Sequence, residues 1–294
     1  MLKPFELLSP TSIDEAVKTL AELGQSCKIM AGGTDVLVSM HAGSLKPEFV
    51  MDIKGISELN HAPITDNGGL IISALATHDQ IEHMPEIGKR YSALKDAVSR
   101  VGSVQTRTRG TIGGNICNAV PSGESLGPLI ALDAELRLYG SDGERTVAFE
   151  DFFLGAKKTV LKPGELLCSV RLPANPANFC SAYTKFTKRK AMDLALLGVT
   201  VCIGLSGDGK CEHVRIALTT AAPTPMRAKN AENYLLGKKP DDNVLKEAGK
   251  LASAEAKPRS SWRAEAGYRH ALIEELVPRT AKEALKRLKK EASA

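Results

Sequence analysis

Several features that would assign this sequence to a functional class at once are missing from it. Its six cysteines are scattered and form no C-x-x-C pair, so an iron–sulfur or structural zinc site within the chain is disfavoured. Buried, reduced cysteine is the better interpretation. Aromatic residues make up only 4% of the chain and do not alternate with basic residues, which argues against nucleic-acid binding.

Long apolar runs are absent too. No stretch approaches the roughly 20 apolar residues that a membrane-spanning helix requires, and the first residues, MLKPFELLSPTSIDEAV, lack the pattern of a signal peptide. We therefore expect a cytoplasmic protein. The net charge is +5, and the basic residues concentrate only in RTAKEALKRLKKEASA, which is typical of a solvated terminal helix.

Common catalytic and nucleotide-binding motifs are also missing. No G-x-G-x-x-G spacing occurs, so a Rossmann-type dinucleotide site is not expected. The stretch GLSGDGKC resembles a P-loop, but Cys211 stands where Ser or Thr would bind magnesium, and we interpret it as a hairpin turn. His78 and Glu82 could share a helix face, yet no third metal ligand is evident. We expect no metal site and no catalytic acid or base, which leaves the chemistry to a cofactor.

The residues that are present indicate an α+β protein of two domains, for which 294 residues suffice. Periodicity predicts a helix in SPTSIDEAVKTLAEL, strands in CKIM and EFVMDIKG, two helices between residue 79 and about 103, and a hairpin around SDG. The segment PANPANF holds two prolines and two asparagines, so we place a domain boundary near residue 175. Three strands and then helices are expected after it.

Two glycine-rich segments stand out. KIMAGGTDVLVSM contains Gly32 and Gly33, and RGTIGGNICNAVPSGES contains Gly110, Gly113 and Gly114. Glycine is retained where φ is positive or where another group approaches the backbone closely. We expect both segments to be loops beside strands that offer backbone N–H groups to a pyrophosphate. Spacing alone leaves two ordinary tight turns as an equal alternative.

These segments resemble those of a known family. AGGTDVL, ATHDQIE and TIGGN, followed by YTKFTKRKAMDLALLGVTV and GYRHALIEELVPR, are similar to the FAD-binding medium subunit of the molybdenum hydroxylases, the xanthine dehydrogenase and aerobic carbon monoxide dehydrogenase family. The resemblance spans nearly the whole chain. It implies a PCMH or vanillyl-alcohol-oxidase-type FAD-binding domain over 1–175, with subdomains of about 1–55 and 56–175, and a C-terminal α+β domain over 176–294.

In this resemblance FAD lies between the subdomains. Residues 31–36 and 110–115 would hold the pyrophosphate and ribitol, Gly123 and Glu124 would lie near the adenosine end, and Lys185 and Asp193 would lie by the flavin or its phosphates. A Gly113→Val change is expected to release FAD and largely keep the fold. The full set of cofactor-binding residues that the resemblance implies is Ile29, Met30, Ala31, Gly32, Gly33, Thr34, Asp35, Val36, Gly102, Thr106, Gly110, Thr111, Ile112, Gly113, Gly114, Asn115, Gly123, Glu124, Leu167, Lys185 and Asp193.

The function that the resemblance implies is electron transfer in an oxidoreductase complex. A large subunit with the molybdenum cofactor would oxidise the substrate, and a small subunit with two iron–sulfur clusters would relay electrons to the FAD of this chain. The FAD would pass them to NAD or another acceptor. Two alternatives stay open: a stand-alone FAD oxidoreductase of the same fold, and a non-catalytic structural subunit. Leu194 stands where an aromatic residue often packs on the flavin ring.

Overall fold

The structure is a computed structural model that describes residues 2–291. Its strands are β1 (Glu6–Leu8), β2 (Cys27–Met30), β3 (Phe49–Asp52), β4 (Ile64–Asp66), β5 (Gly69–Ser73), β6 (Glu135–Gly140), β7 (Gly143–Ala148), β8 (Phe153–Gly155), β9 (Lys158–Thr159), β10 (Leu166–Leu172), β11 (Phe179–Phe186), β12 (Leu197–Leu205), β13 (Cys211–Thr219) and β14 (Met226–Arg227). Its helices are α1 (Ile13–Leu23), α2 (Val36–His41), α3 (His78–His83), α4 (Pro85–Arg90), α5 (Ser92–Val98), α6 (Val104–Arg107), α7 (Ile112–Asn118), α8 (Leu126–Ala131), α9 (Lys229–Leu235), α10 (Asp242–Glu255) and α11 (Ala266–Glu291). The expected α+β class is confirmed.

The first part of the chain forms a three-stranded parallel sheet in the order β1–β3–β2. The side chain of Ser12 caps α1 by accepting a hydrogen bond from a backbone N–H, which satisfies one of the unpaired donors at a helix start. Ala16, Val17 and Leu20 lie on one face of α1 and are buried against the sheet. Strand β2 then leads directly into the first glycine segment.

The second part is a five-stranded antiparallel sheet in the order β4–β5–β10–β6–β7, covered by short helices. The hairpin β6–β7 forms where the SDG turn predicts it. Between 78 and 98 there are three helices where two were expected. Pro85 begins α4, because proline is accepted at the first position of a helix but not inside one.

The third part is a four-stranded antiparallel sheet in the order β11–β12–β13–β14, with α9, α10 and α11 against one face. The predicted hairpin turn between β12 and β13 is confirmed, since the N–H of Ser206 donates to the carbonyl of Lys210. Helix α11 contains Pro278, which cannot donate to the carbonyl of Glu274. A Cβ on Gly249 would lie 2.6 Å from that carbonyl oxygen, so glycine lets α10 approach α11 at this point.

An ion pair joins the third part to the second. Arg287, near the end of α11, donates from Nη1 to Asp96 Oδ2 at 2.7 Å and to the backbone oxygen of Ser181 at 3.1 Å. Asp96 lies in α5 and Ser181 in β11, so one guanidinium connects three elements. In the part of the chain that the structure describes, no helix is both long and apolar enough to cross a membrane.

Candidate cofactor site

The first glycine segment, residues 31–35, joins β2 to α2. Gly33 has a φ of +75°, a left-handed conformation that glycine adopts without strain. Within residues 2–291, the five consecutive backbone N–H groups of 32–36 donate no hydrogen bond to the protein. The first N–H groups of a helix have no partner within it, and successive N–H groups there form a site for an anion. This geometry fits a segment that offers its amides to a pyrophosphate.

The second glycine segment is not the loop that we expected. Thr111 is the N-cap of α7, and the glycines belong to the first turn of that helix. The backbone N–H groups of Ile112 and Gly113 donate to the carbonyls of Ala76 and Ala74 at 3.0 and 2.9 Å. The expectation of free amides is therefore wrong for these two residues, because the neighbouring chain already satisfies them.

The two glycine segments lie against each other. A Cβ built on Gly32 would lie 1.9 Å from the backbone oxygen of Arg109, and one built on Gly110 would lie 3.5 Å from Thr34 Oγ1. Segments that are far apart in the sequence therefore meet at one place, as a shared ligand requires. The space of the missing side chain at Gly32 is occupied by the chain itself and not kept for a diphosphate.

Gly113 also serves packing within the protein. A Cβ on Gly113 would lie 2.7 Å from the backbone oxygen of Ala74 and 2.8 Å from its Cβ, and both distances are too short for real contacts. The expectation that Gly113→Val would largely keep the fold stays a prediction, and these contacts count against it, since a larger side chain overpacks this buried contact. Glycine at this position lets α7 lie directly on the chain that follows β5.

Glu124 and Lys185 form a buried ion pair close to the first glycine segment. Lys185 Nζ lies 2.7 Å from Glu124 Oε1, and each side chain is 7% exposed. Burial raises the pKa of Glu124, Lys185 opposes that rise, and the nearby charge of Asp35 adds to it. We expected Glu124 near the adenosine end and Lys185 by the flavin or its phosphates. The ion pair places the two side chains at the same point.

Asn115 and Gly123 connect the second glycine segment to this ion pair. The Asn115 Oδ1 accepts a hydrogen bond from Ser125 Oγ at 2.6 Å, and a Cβ on Gly123 would lie 3.2 Å from the same oxygen. Gly123 and Ser125 flank Glu124 in the sequence. The structure thus brings together four predicted stretches: 31–36, 110–115, 123–124 and Lys185.

Asp193 and Gly102 lie in an adjoining surface region. Asp193 Oδ2 accepts hydrogen bonds from the backbone N–H groups of Lys188 and Arg189, each at 3.0 Å. The bond from Arg189 is the largest cause of the lowered pKa of Asp193. The N–H of Met192 donates to the backbone oxygen of Gly102 at 3.4 Å. The Asp193 carboxylate therefore shapes the loop at 187–193, and this loop contacts the start of the segment 102–106.

The remaining predicted residues contribute less accessible groups. Ile112 and Leu167 are buried in the core of the second sheet, and Ile29 packs against the core of the first. Met30 Sδ would lie 3.4 Å from a Cβ on Gly33. The side chains of Ile112 and Leu167 therefore pack in the core beneath the site and are not available for direct contact with a cofactor.

Two residues beside the glycine segments were not predicted as site residues. His78 is 2% exposed, its Cδ2 would lie 3.4 Å from a Cβ on Gly110, and burial, together with the charge of Arg107, lowers its pKa to about 4. Its Nδ1 has no hydrogen-bond partner in the described residues. Lys54 Nζ donates to the backbone oxygen of Ala31 at 3.4 Å, and no sequence pattern indicated this cation.

No metal centre accompanies these groups in the part of the chain that the structure covers: no three His, Cys, Asp or Glu side chains there are placed to hold an ion.

Residues 3–175 match the family described as the FAD binding domain in molybdopterin dehydrogenase. Residues 181–284 match the CO dehydrogenase flavoprotein C-terminal domain. The chain belongs to this flavoprotein family.

Similar proteins cover the flavoprotein over almost its full length. The carbon monoxide dehydrogenase medium chain of Hydrogenophaga pseudoflava is 35% identical over 281 residues, which are 95% of this chain and 96% of that one. The xanthine dehydrogenase FAD-binding subunit of Escherichia coli O157:H7 is 31% identical over 275 residues, with 93% and 94% covered. A solved structure, the Hydrogenophaga pseudoflava carbon monoxide dehydrogenase lacking the Mo-pyranopterin moiety of its cofactor, matches with a TM-score of 0.94 at 34% identity and covers 98% of this chain and 99% of that one.

These matches confirm the family, the fold and the cofactor that the resemblance implied. The chain is an FAD-binding medium subunit of the molybdenum hydroxylase type and part of an oxidoreductase. The unpaired N–H groups of 32–36 fit FAD, because a diphosphate needs several convergent donors and a helix start supplies them.

Proposed function

We propose that this flavoprotein transfers electrons within a complex of three kinds of subunit. A large subunit with the molybdenum cofactor oxidises the substrate, a small subunit with iron–sulfur clusters relays the electrons, and this chain passes them to NAD or another acceptor. The similarity to medium chains of carbon monoxide dehydrogenase supports this assignment. FAD supplies the redox chemistry when bound, because its ring exchanges electrons singly or in pairs.

The observation that carries the proposal is the row of free amides at 32–36, which lies against the second glycine segment. We assign the diphosphate of FAD to these amides; Lys54 lies nearby, with its ammonium group paired to Asp52. Thr34 and Asn115 supply a hydroxyl and an amide group for the ribitol, and residues 123–124 with Lys185 form the adjoining contact. Gly102, Thr106 and Asp193 would lie towards the flavin. We also propose that the chain divides into two domains near residue 175 and that the protein is cytoplasmic.

The protein itself binds and orients the cofactor. Lys185 and Glu124 pair with each other while both are buried, so neither side chain is left in the protein without a partner. No side chain of the site needs to act as an acid or a base in this function.

The first experiment is to co-express the chain with its genomic neighbours and to record the visible spectrum of the purified complex and of the chain alone. We expect one FAD per chain in both, and iron–sulfur absorbance only in the complex. Addition of substrate to the complex should reduce the bound FAD, and addition of NAD should reoxidise it; both results would support the relay. A chain that stays colourless even in the complex would favour a structural subunit.

A pair of matched variants tests the site. Thr34 Oγ1 faces Gly110, and Thr34→Val removes this hydroxyl without changing the shape of the side chain. We expect about tenfold weaker FAD binding, because one hydrogen bond to a charged or polar partner typically contributes about 1.4 kcal/mol. The control is Thr108→Val, since the hydroxyl of Thr108 is exposed and bonds only to its own helix. Equal FAD affinity in both variants would contradict the assignment of Thr34.

A further inference from the structure

The sheet of the third part has two unlike faces. Side chains alternate along a strand, so Val199, Val201 and Ile203 of β12 pack against the C-terminal helices. The opposite face carries Tyr183 and Thr200, which are direct partners in adjacent strands. Tyr183 packs on residues 93 and 97 of α5, so this second face meets the FAD-binding domain and not solvent.

Three hydroxyl groups on that second face are buried without a partner. Tyr183 is 3% exposed, and Thr200 and Thr219 are both 0% exposed. Their hydroxyl oxygens make no hydrogen bond within residues 2–291. A hydroxyl removed from water without a new partner is costly, and three such groups side by side are uncommon in a folded protein. Their arrangement therefore requires an explanation.

Two glycines leave space for this cluster, which consists of the hydroxyls of Tyr183, Thr200 and Thr219. A Cβ on Gly198 would lie 2.2 Å from Thr219 Oγ1 and 2.9 Å from Tyr183 Oη. The two oxygens are therefore no more than about 5 Å apart, a distance that one bridging water spans. A Cβ on Gly127, in α8, would lie 2.9 Å from Thr200 Oγ1, so the cluster lies between α8 and the sheet.

We propose that Tyr183, Thr200 and Thr219 bind an internal water molecule between α8 and the sheet. A water molecule can accept from and donate to up to four partners, and buried waters typically occupy polar sites with about three. All three groups of the cluster are hydroxyls without a formal charge, which suits a neutral molecule, and burial raises the pKa of Tyr183 well above its usual range.

The water site is placed to act on the cofactor site through the backbone. Strand β11 carries Tyr183 and, two residues later, Lys185, and Lys185 is the direct strand partner of Gly198. On the other side of the water, Glu124 stands just before α8. The three hydroxyls and their water thus hold together the two elements that supply the Glu124–Lys185 ion pair. In this inference Tyr183 is a positioning residue.

Tyr183→Phe tests the site in the full chain with FAD bound. A hydroxyl bonded to an internal water stabilises the fold, so we expect its removal to raise the unfolding equilibrium constant about fivefold to tenfold in a denaturant titration. FAD release should become faster. Tyr91→Phe is the matched reference, because it removes a hydroxyl that donates directly to the protein: Tyr91 Oη donates to the carbonyl of Pro173 at 2.8 Å. A Tyr183→Phe protein that is as stable as the wild type, or more stable, overturns the proposal.

Two further measurements keep the test decisive if Tyr183→Phe folds poorly. Thr219→Val, alone and combined with Tyr183→Phe, should give effects that do not add, because both hydroxyls share one water; additive effects overturn the shared site. A high-resolution crystal structure should show one water within about 3.2 Å of the three oxygens. Direct pairing of the hydroxyls with no water between them would also overturn it.

Discussion

Gly32→Ala is the sharpest test of how the two glycine segments form the cofactor site. The added Cβ would lie 1.9 Å from the backbone oxygen of Arg109, whereas real Cβ atoms essentially never approach within 3.0 Å. The segments must therefore separate by about 1 Å, and overpacking of this kind costs about 1–3 kcal/mol of folding free energy. The free amides of 32–36 would move with the first segment.

A shift of about 1 Å takes hydrogen bonds to a bound diphosphate beyond their useful length. Loss of two bonds to a charged group costs about 3 kcal/mol, which corresponds to roughly 100-fold weaker FAD binding. Titration of the FAD-free chain with FAD, followed by flavin fluorescence, measures this directly. Gly207→Ala is the control, since a Cβ there meets nothing within 4 Å. A Gly32→Ala chain with the FAD affinity of the wild type would refute this account of the site.

Three further predictions concern stability. Lys185→Met leaves Glu124 without its cation, and burial already raises the pKa of this carboxyl group from 4.5. The folded state then holds a proton that the unfolded state releases, so the unfolding free energy measured in urea should fall more steeply than in the wild type as the pH rises above 4.5. An unchanged slope would contradict the pairing. Arg287→Met should lower the free energy of unfolding by about 2 kcal/mol because it removes a partly buried ion pair between domains. Arg279 is exposed, and Arg279→Met should have no measurable effect. Equal effects of the two variants would show that the Arg287 ion pair does not stabilise the fold. Gly113→Ala should lower the melting temperature of the FAD-free chain, and a wild-type melting temperature would show that the contact relaxes freely.

Local patterns were enough to predict several elements. Helix α1 was predicted because its cap and its apolar spacing lie within a few residues of each other, and the hairpin β6–β7 because its turn lies between two alternating strands. The family resemblance supplied the fold and the cofactor. Helix α7 was missed because two glycines in a helix are unfavourable by propensity, and contacts with residues 74–76, which are distant in the sequence, help to stabilise them there.

The ion pair could not be predicted from the sequence for a similar reason. Glu124 and Lys185 lie on different domains, and no local pattern indicates that their side chains meet. The same holds for Gly32, whose need for glycine arises from the backbone of Arg109. The predicted role of these glycines was to make room for the ligand, whereas the missing side chains of Gly32 and Gly113 make room for the backbone of Arg109 and Ala74.

The long-range ion pairs also bear on the order of events during synthesis. Glu124 emerges from the ribosome before Lys185, and Asp96 precedes its partner Arg287 by 191 residues. Domains tend to fold from the amino terminus as the chain is made, yet the FAD-binding domain lacks two of its cations until β11 and then α11 have been translated. The nascent domain therefore carries uncompensated carboxylates, and its final charge balance is set only when the last helix is complete.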